Sequence, residues 1–170
     1  KIFDITTKKA FPYANVNIKK DNKIINGAMT VNQRATSLTA SGYSVDRFGY
    51  YASQSSKATV AQSSTAPTGF INSLLVTSSS SYTVGSSDIF ELYQNIEGLN
   101  VADLGWGTAS ASAVTLSFWV RSSLTGTFGG VFSNSGGSRS YPFTYTISAA
   151  NTWEQKTITV AGDTTGTWLT

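Results

Sequence analysis

The stretch Ala113-Val114-Thr115-Leu116-Ser117-Phe118-Trp119-Val120-Arg121-Ser122 decides the fold. Val114, Leu116, Phe118 and Val120 fall on one face of an extended chain, and Thr115, Ser117, Trp119 and Arg121 fall on the other. A period of two over so many residues is the signature of a half-buried strand. Arg139 to Ile147 repeats it, with Tyr141, Phe143, Tyr145 and Ile147 opposed to Ser140, Pro142, Thr144 and Thr146. Pro142 lacks an N–H, which places that strand at an edge or a bulge. Working outward, further strands are expected at 28–33, 45–51, 57–62, 72–77, 89–96, 129–132 and 152–160. They are separated by Gly, Ser and Asn clusters such as Ser78 to Ser81, Gly85-Ser86-Ser87, Asn134 to Ser138 and Gly162 to Gly166. Those residues tolerate a left-handed backbone or bond their own backbone, so they turn the chain. About nine or ten short strands at this spacing predict an all-β antiparallel sandwich.

Composition agrees. The 170 residues are 40% hydrophobic and 12% charged and contain 25 Ser and 23 Thr, so hydroxyls make up much of the surface. Ser and Thr compete with helical hydrogen bonds, whereas Thr, Val, Ile, Tyr, Phe and Trp suit a pleated sheet. The length fits one domain. No His and no Cys are present, which removes the usual zinc ligands, Ser-His and Cys-His nucleophile systems and disulfides. A paired-carboxylate glycosidase is the familiar enzyme class that remains. Asp88 and Glu91 lie three apart on an expected strand and therefore face opposite ways, which argues against that class. No apolar run approaches the roughly 20 residues of a membrane span, so no membrane insertion is expected.

Charge is concentrated at the start. Residues 1–23 carry Lys1, Lys8, Lys9, Lys19, Lys20 and Lys23 against Asp4 and Asp21, a net of +4, whereas 24–170 carry six basic and seven acidic side chains. The first segment reads as an extended N-terminal arm that anchors to an acidic partner through Lys8, Lys9, Lys19, Lys20 and Lys23, or as a lysine-protected edge. Lysines without Arg and with few interleaved aromatics do not make a nucleic-acid patch. The sandwich is assigned to 24–170.

Residues 98–107, Gly-Leu-Asn-Val-Ala-Asp-Leu-Gly-Trp-Gly, are the one irregular stretch with helical character. Asn100 is expected to cap a turn that ends near Gly105. Trp106, flanked by glycines beside Asp103 and Asn100, offers either an aromatic platform for a sugar or a plug over the end of the sandwich. Trp119, turned away from the core face, offers a glycan or subunit contact. Trp153 is read as core. The aromatic stretch Tyr43, Asp46, Arg47, Phe48, Tyr50, Tyr51 lines a concave sheet in one reading; in the other, Phe48 and Tyr50 face the core while Asp46 and Arg47 form a local polar pair.

The order Asn26-Gly27-Ala28-Met29, Asp46-Arg47-Phe48, 72–77 (Asn-Ser-Leu-Leu-Val-Thr), 92–98 (Leu-Tyr-Gln-Asn-Ile-Glu-Gly), 114–121 and 151–160 resembles the jelly-roll carbohydrate-binding modules attached to polysaccharide-degrading enzymes. Residues 96–107 and 119–130 are similar to segments of bacteriophage fibre and virion appendage proteins, from phages of cyanobacteria and other marine bacteria. The resemblance covers 24–170. It implies a jelly-roll topology and a virion-surface location. The implied partners are other virion proteins, copies of the chain in a homotrimer, and a cell-surface glycan contacted by Trp106, Asp103, Asn100, Trp119, Tyr50 and Tyr51. It also implies a structural calcium near the Asn26-Gly27 strand, although no loop has the dense D-x-D spacing of a calcium site; no other cofactor is expected. Related modules continue past the position of Leu169 through closing strands. The arm, a neighbouring subunit or further residues are expected to supply that pairing. Three functions compete: a glycan-contacting fibre or appendage module, a capsid decoration or head-fibre protein without sugar binding, and a polysaccharide-degrading enzyme.

Overall fold

A computed structural model describes residues 22–34 and 37–168. The protein is all-β and antiparallel. Its elements in chain order are β1 (Ser37–Leu38), β2 (Gly42–Tyr43), β3 (Gly49–Ala52), β4 (Ala58–Ser63), β5 (Ser73–Ser78), β6 (Phe90–Tyr93), the helical turn α1 (Gly98–Val101) with a 3-10 turn over Ala102–Leu104, β7 (Val114–Val120), β8 (Gly126–Ser133), β9 (Ser140–Ile147) and β10 (Glu154–Val160). Among the described residues the strands form four sheets, ordered β1-β4-β5, β2-β3-β6, β10-β7 and β8-β9. Pairing is nested: β3 with β6 brackets β4 with β5, and β7 with β10 brackets β8 with β9.

The second bracket is the better built. The β7 strand predicted from its alternation pairs along its whole length with β10, from Val114 opposite Val160 to Val120 opposite Glu154. Its burial alternates with the predicted period. Phe118 from its inner face meets Tyr145 of β9 edge to face at 5.0 Å, and Tyr145 stacks on Phe128 of β8. This aromatic contact joins the two ladders, with Ile147 and Val160 fully buried. Burial raises the pKa of the Tyr145 hydroxyl above that of a free tyrosine. Gly130 is a packing requirement, because a Cβ there would lie inside the ring of its cross-strand partner Phe143. Pro142 sits opposite Val131 on β9, whose ladder partner is β8 alone among the described residues. That is the edge position expected of it.

The first bracket departs from expectation at two places. Residues 28–33 do not form a strand. Asn26 and Met29 adopt left-handed backbones (φ 57° and 55°) and a turn closes through Met29 N–H to Asn26 O at 2.9 Å. The Asn26 amide then organises the loop, donating to Val31 O and Asp46 O and accepting from the N–H groups of Thr30 and Val31. An Asn bonding its neighbours in this way outcompetes a ladder. The run 45–51 is likewise broken. Phe48 N–H reaches Val45 O at 2.9 Å and Arg47 takes φ 77°, so a tight turn separates β2 from β3. Val45, Tyr50 and Val60 are the buried apolar residues here, and Ser44 Oγ bonds Val60 O at 3.3 Å.

Candidate functional site

Tryptophan 106 does not stand open as a platform. It follows Gly105, whose left-handed backbone (φ 62°) stops the 3-10 turn with an N–H to Ala102 O bond at 3.2 Å, at the predicted place. The half-buried indole donates to Ser112 O at 2.7 Å and meets Trp168 edge to face at 4.7 Å. Trp168 donates to Asp163 at 3.0 Å, and Asp163 is also bonded to the Arg139 guanidinium and to the N–H and Oγ1 of Thr165. The Arg139 bond above all, then those of Thr165 and Trp168, holds the Asp163 carboxyl well below the usual carboxylate range. Trp106 thus belongs to a plug at one end of the β7–β10 half, which is the packing alternative for this residue.

Asn100 and Asp103 lie elsewhere. Asn100 is inside α1 rather than at its cap; Glu97 holds the cap position. The Asn100 amide donates to Glu97 at 3.1 Å, and Asp103 pairs with Lys23 at 2.9 Å. Together with Asn22, Ile25 and Leu99 these residues line a shallow hollow of about 410 Å³ from which Trp106 is absent. Lys8, Lys9, Lys19 and Lys20 lie outside the described residues. Lys23, assigned to the arm, is tied to the 3-10 turn after α1 by its ion pair with Asp103.

Tyr50 and Tyr51 cannot act together. As neighbours on β3 they face opposite sides; Tyr50 is 3% exposed, and burial raises its hydroxyl pKa, while Tyr51 is open to solvent. Tyr50 is therefore core and not a ligand contact. Asp46 and Arg47 do not pair with each other: Asp46 lies 3.5 Å from Arg34, and Arg47 lies 2.7 Å from Glu97. Arg47 also donates to Asn95 O at 3.0 Å. Tyr43, Arg34, Arg47, Asn95, Ile96 and Glu97 line a second hollow of about 330 Å³. Arg34 and Asn95 carried no sequence signal, because nothing in their local pattern announces the turn and loop that bring them to Tyr43.

Trp119, like Tyr51, is a sequence-predicted aromatic that remains presented. It is 40% exposed on the outer face of β7, directly across from Gln155 of β10. Below it on the same face stand Ser117 opposite Thr157 and Thr115 opposite Thr159, the last two hydroxyls 3.2 Å apart. An indole bordered by an amide and a ladder of hydroxyls offers a π-face to C–H groups and flanking donors and acceptors to hydroxyls.

The chain matches no family model, no curated protein and no solved structure. Its chemistry is therefore read from the residues. Among the described residues no three His, Cys, Asp or Glu side chains gather to hold a metal. Near Asn26-Gly27 the carbonyls of Val31 and Asp46 accept the Asn26 amide. Asp46, Asp103 and Asp163 do not meet; each is paired with its own cation.

Proposed function

We propose that the chain is a non-enzymatic module of a bacteriophage virion, a fibre or appendage domain on the particle surface. In this reading it associates with copies of itself as a trimer and with other virion proteins, and contacts host-surface glycans through the outer face of β7 and β10. The observation that carries the glycan reading is Trp119, open to solvent above the Gln155, Ser117 and Thr157 side chains. Such contacts are individually weak, and several copies on one particle supply avidity. A catalytic role has less support. Among the described residues Asp46, Glu97, Asp103, Glu154 and Asp163 are each paired with a cation and Asp88 accepts from Tyr82, which gives little support to two carboxylates sharing acid and base work.

Capsid decoration without sugar binding is the second reading, favoured by the apolar side chains left in water before Gly105. Ile71, Val84 and Leu99 are 75%, 61% and 94% exposed. Side chains of that kind fit a surface that other proteins cover. Titration with host-envelope oligosaccharides, followed by tryptophan emission, separates the two. The glycan reading expects a saturable change that persists in high salt and is lost in Trp119→Ala. An unchanged emission, or a response that Trp119→Ala retains in full, overturns the assignment to this face.

A further inference from the structure

We infer that the hollow beneath the β2–β3 turn is a second saccharide site, distinct from the Trp119 face, and that it takes an uncharged sugar residue. The inference rests on the glycan reading above and adds a location and a ligand class to it. Tyr43 is the platform. Its ring is open to solvent on one side and is held edge-on by Tyr93 at 6.2 Å, so its orientation is set before any ligand arrives. Tyr93 in turn lies over Gly49, its cross-strand partner, where any Cβ would strike the phenol ring. The Arg34 guanidinium stands 5.5 Å from the Tyr43 ring centre on a largely exposed side chain, where its outer N–H groups can meet a hydroxyl.

The opposite wall is polar and charge-compensated. Within the lining Arg47 is paired with Glu97, while Arg34 is paired with Asp46 behind it. The Glu97 carboxyl is held below its ordinary range, first by its own backbone N–H and then by Arg47, and stays ionised. A phosphate, sulfate or uronate entering here would meet Glu97 as well as the arginines. A neutral ring instead meets planar donors and acceptors side by side, which suit vicinal hydroxyls, beside an aromatic face. The hollow, about 330 Å³, lies at the small end of the roughly 300–1,000 Å³ typical of small-ligand sites.

Arg47 itself marks the place. It occupies a left-handed backbone position (φ 77°) that Gly adopts without strain, yet it carries the side chain that reaches both Glu97 and Asn95 O. Arg47→Gly is therefore expected to keep the turn and the fold while deleting the wall.

Backbone amide NMR of the full chain, titrated with maltotetraose, cellotetraose and tetragalacturonate, tests the site. The expected result is a saturable shift of the Tyr43, Arg47 and Asn95 to Glu97 amides with at least one neutral tetrasaccharide. Affinity should fall at least tenfold in Tyr43→Ala and in Arg47→Gly, and recover in Tyr43→Trp, with Arg47→Gly retaining the parent melting temperature within a few degrees. Shifts confined to the Trp119 face would overturn this site and leave the proposed function standing. Preference for tetragalacturonate, or no shift at these amides with any of the three probes, would overturn it as well.

Discussion

The two halves of this protein, residues 22–104 and 105–168, reach antiparallel structure by different means. After Gly105, two ladders of seven and eight residue pairs carry the architecture, and an aromatic trio, Phe118, Tyr145 and Phe128, joins them. Before it, strands of two to six residues are stitched by side chains reaching backbone: Asn26 to Val31 and Asp46, Gln94 to both the N–H and carbonyl of Ile25, Ser41 to Ala52. Twelve of the sixteen large apolar side chains left exposed among the described residues belong to this first half. Long ladders bury one face by alternation. Short ones cannot, and depend on polar loop hubs inside the half and on apolar contacts outside it.

The sharpest way to break that contrast is to remove one apolar side chain from each half. Phe118→Ala should cost about 3 kcal/mol in urea unfolding, because it opens the aromatic contact between ladders. Leu75→Ala on β5, about half exposed, should cost no more than about 0.5 kcal/mol in the dilute chain. Equal losses would mean that the first half is packed as tightly as the second.

A smaller effect is expected at the polar hub. Asn26→Ala should cost about 2 kcal/mol, since it orphans two carbonyls and two N–H groups and places a Cβ-bearing residue without Asn's local bonds at φ 57°. Amide exchange should show the Thr30 and Val31 protons losing protection first. A change spread evenly over β7 to β10 would show that the hub supports the whole molecule and not one half.

Acid should separate the halves as well. Asp88, before β6, is held down to about 2 by the Tyr82 hydroxyl, then by the Gly85 N–H and Ser53, and Asp163 in the second half is held lower still. A depressed folded pKa stabilises the protein above the unfolded value near 4 and is lost as pH falls through the folded value. The melting-temperature gap between the parent and Asp88→Asn should therefore shrink between about pH 4 and pH 2, while the gap for Asp163→Asn persists to lower pH. Gaps that close together would refute the ordering.

The smallest expected effect is at Trp119. Trp119→Ala should leave stability within about 0.5 kcal/mol, because the side chain stands outside the core. A larger loss would mean that Trp119 is structural.

Legibility from sequence follows the same division. Residues 114–120 and 140–147 were readable because each covers seven or eight residues with apolar and polar side chains in alternation, and ladder pairing rewards that pattern. The strand expected at 28–33 failed because a single Asn supplied local bonds worth more than a ladder, and the one expected at 45–51 held only over 49–51, in β3, because Arg47 accepted a turn geometry usually left to Gly. Tyr50 and Tyr51 were grouped as aromatics although a strand sends neighbours to opposite faces. Trp106 was placed in a sugar site with Asn100 and Asp103 because they are close in the chain; the structure gives its indole to Ser112 and Trp168 and gives Asp103 to Lys23.

By itself, then, the amino-acid order determined the all-β class, the positions of the long strands, the inward and outward faces of β7 and the helix stop at Gly105. All of these follow from interactions within a few residues of one another, or from a period of two. Tertiary structure alone decided which ion pairs form, that Arg34, Tyr43, Arg47 and Glu97 surround one hollow, and that Trp168 and Asp163 enclose Trp106. Those groupings join residues up to 80 positions apart, and the loops that bring them together are set by single hydrogen bonds that leave no periodic trace in the sequence.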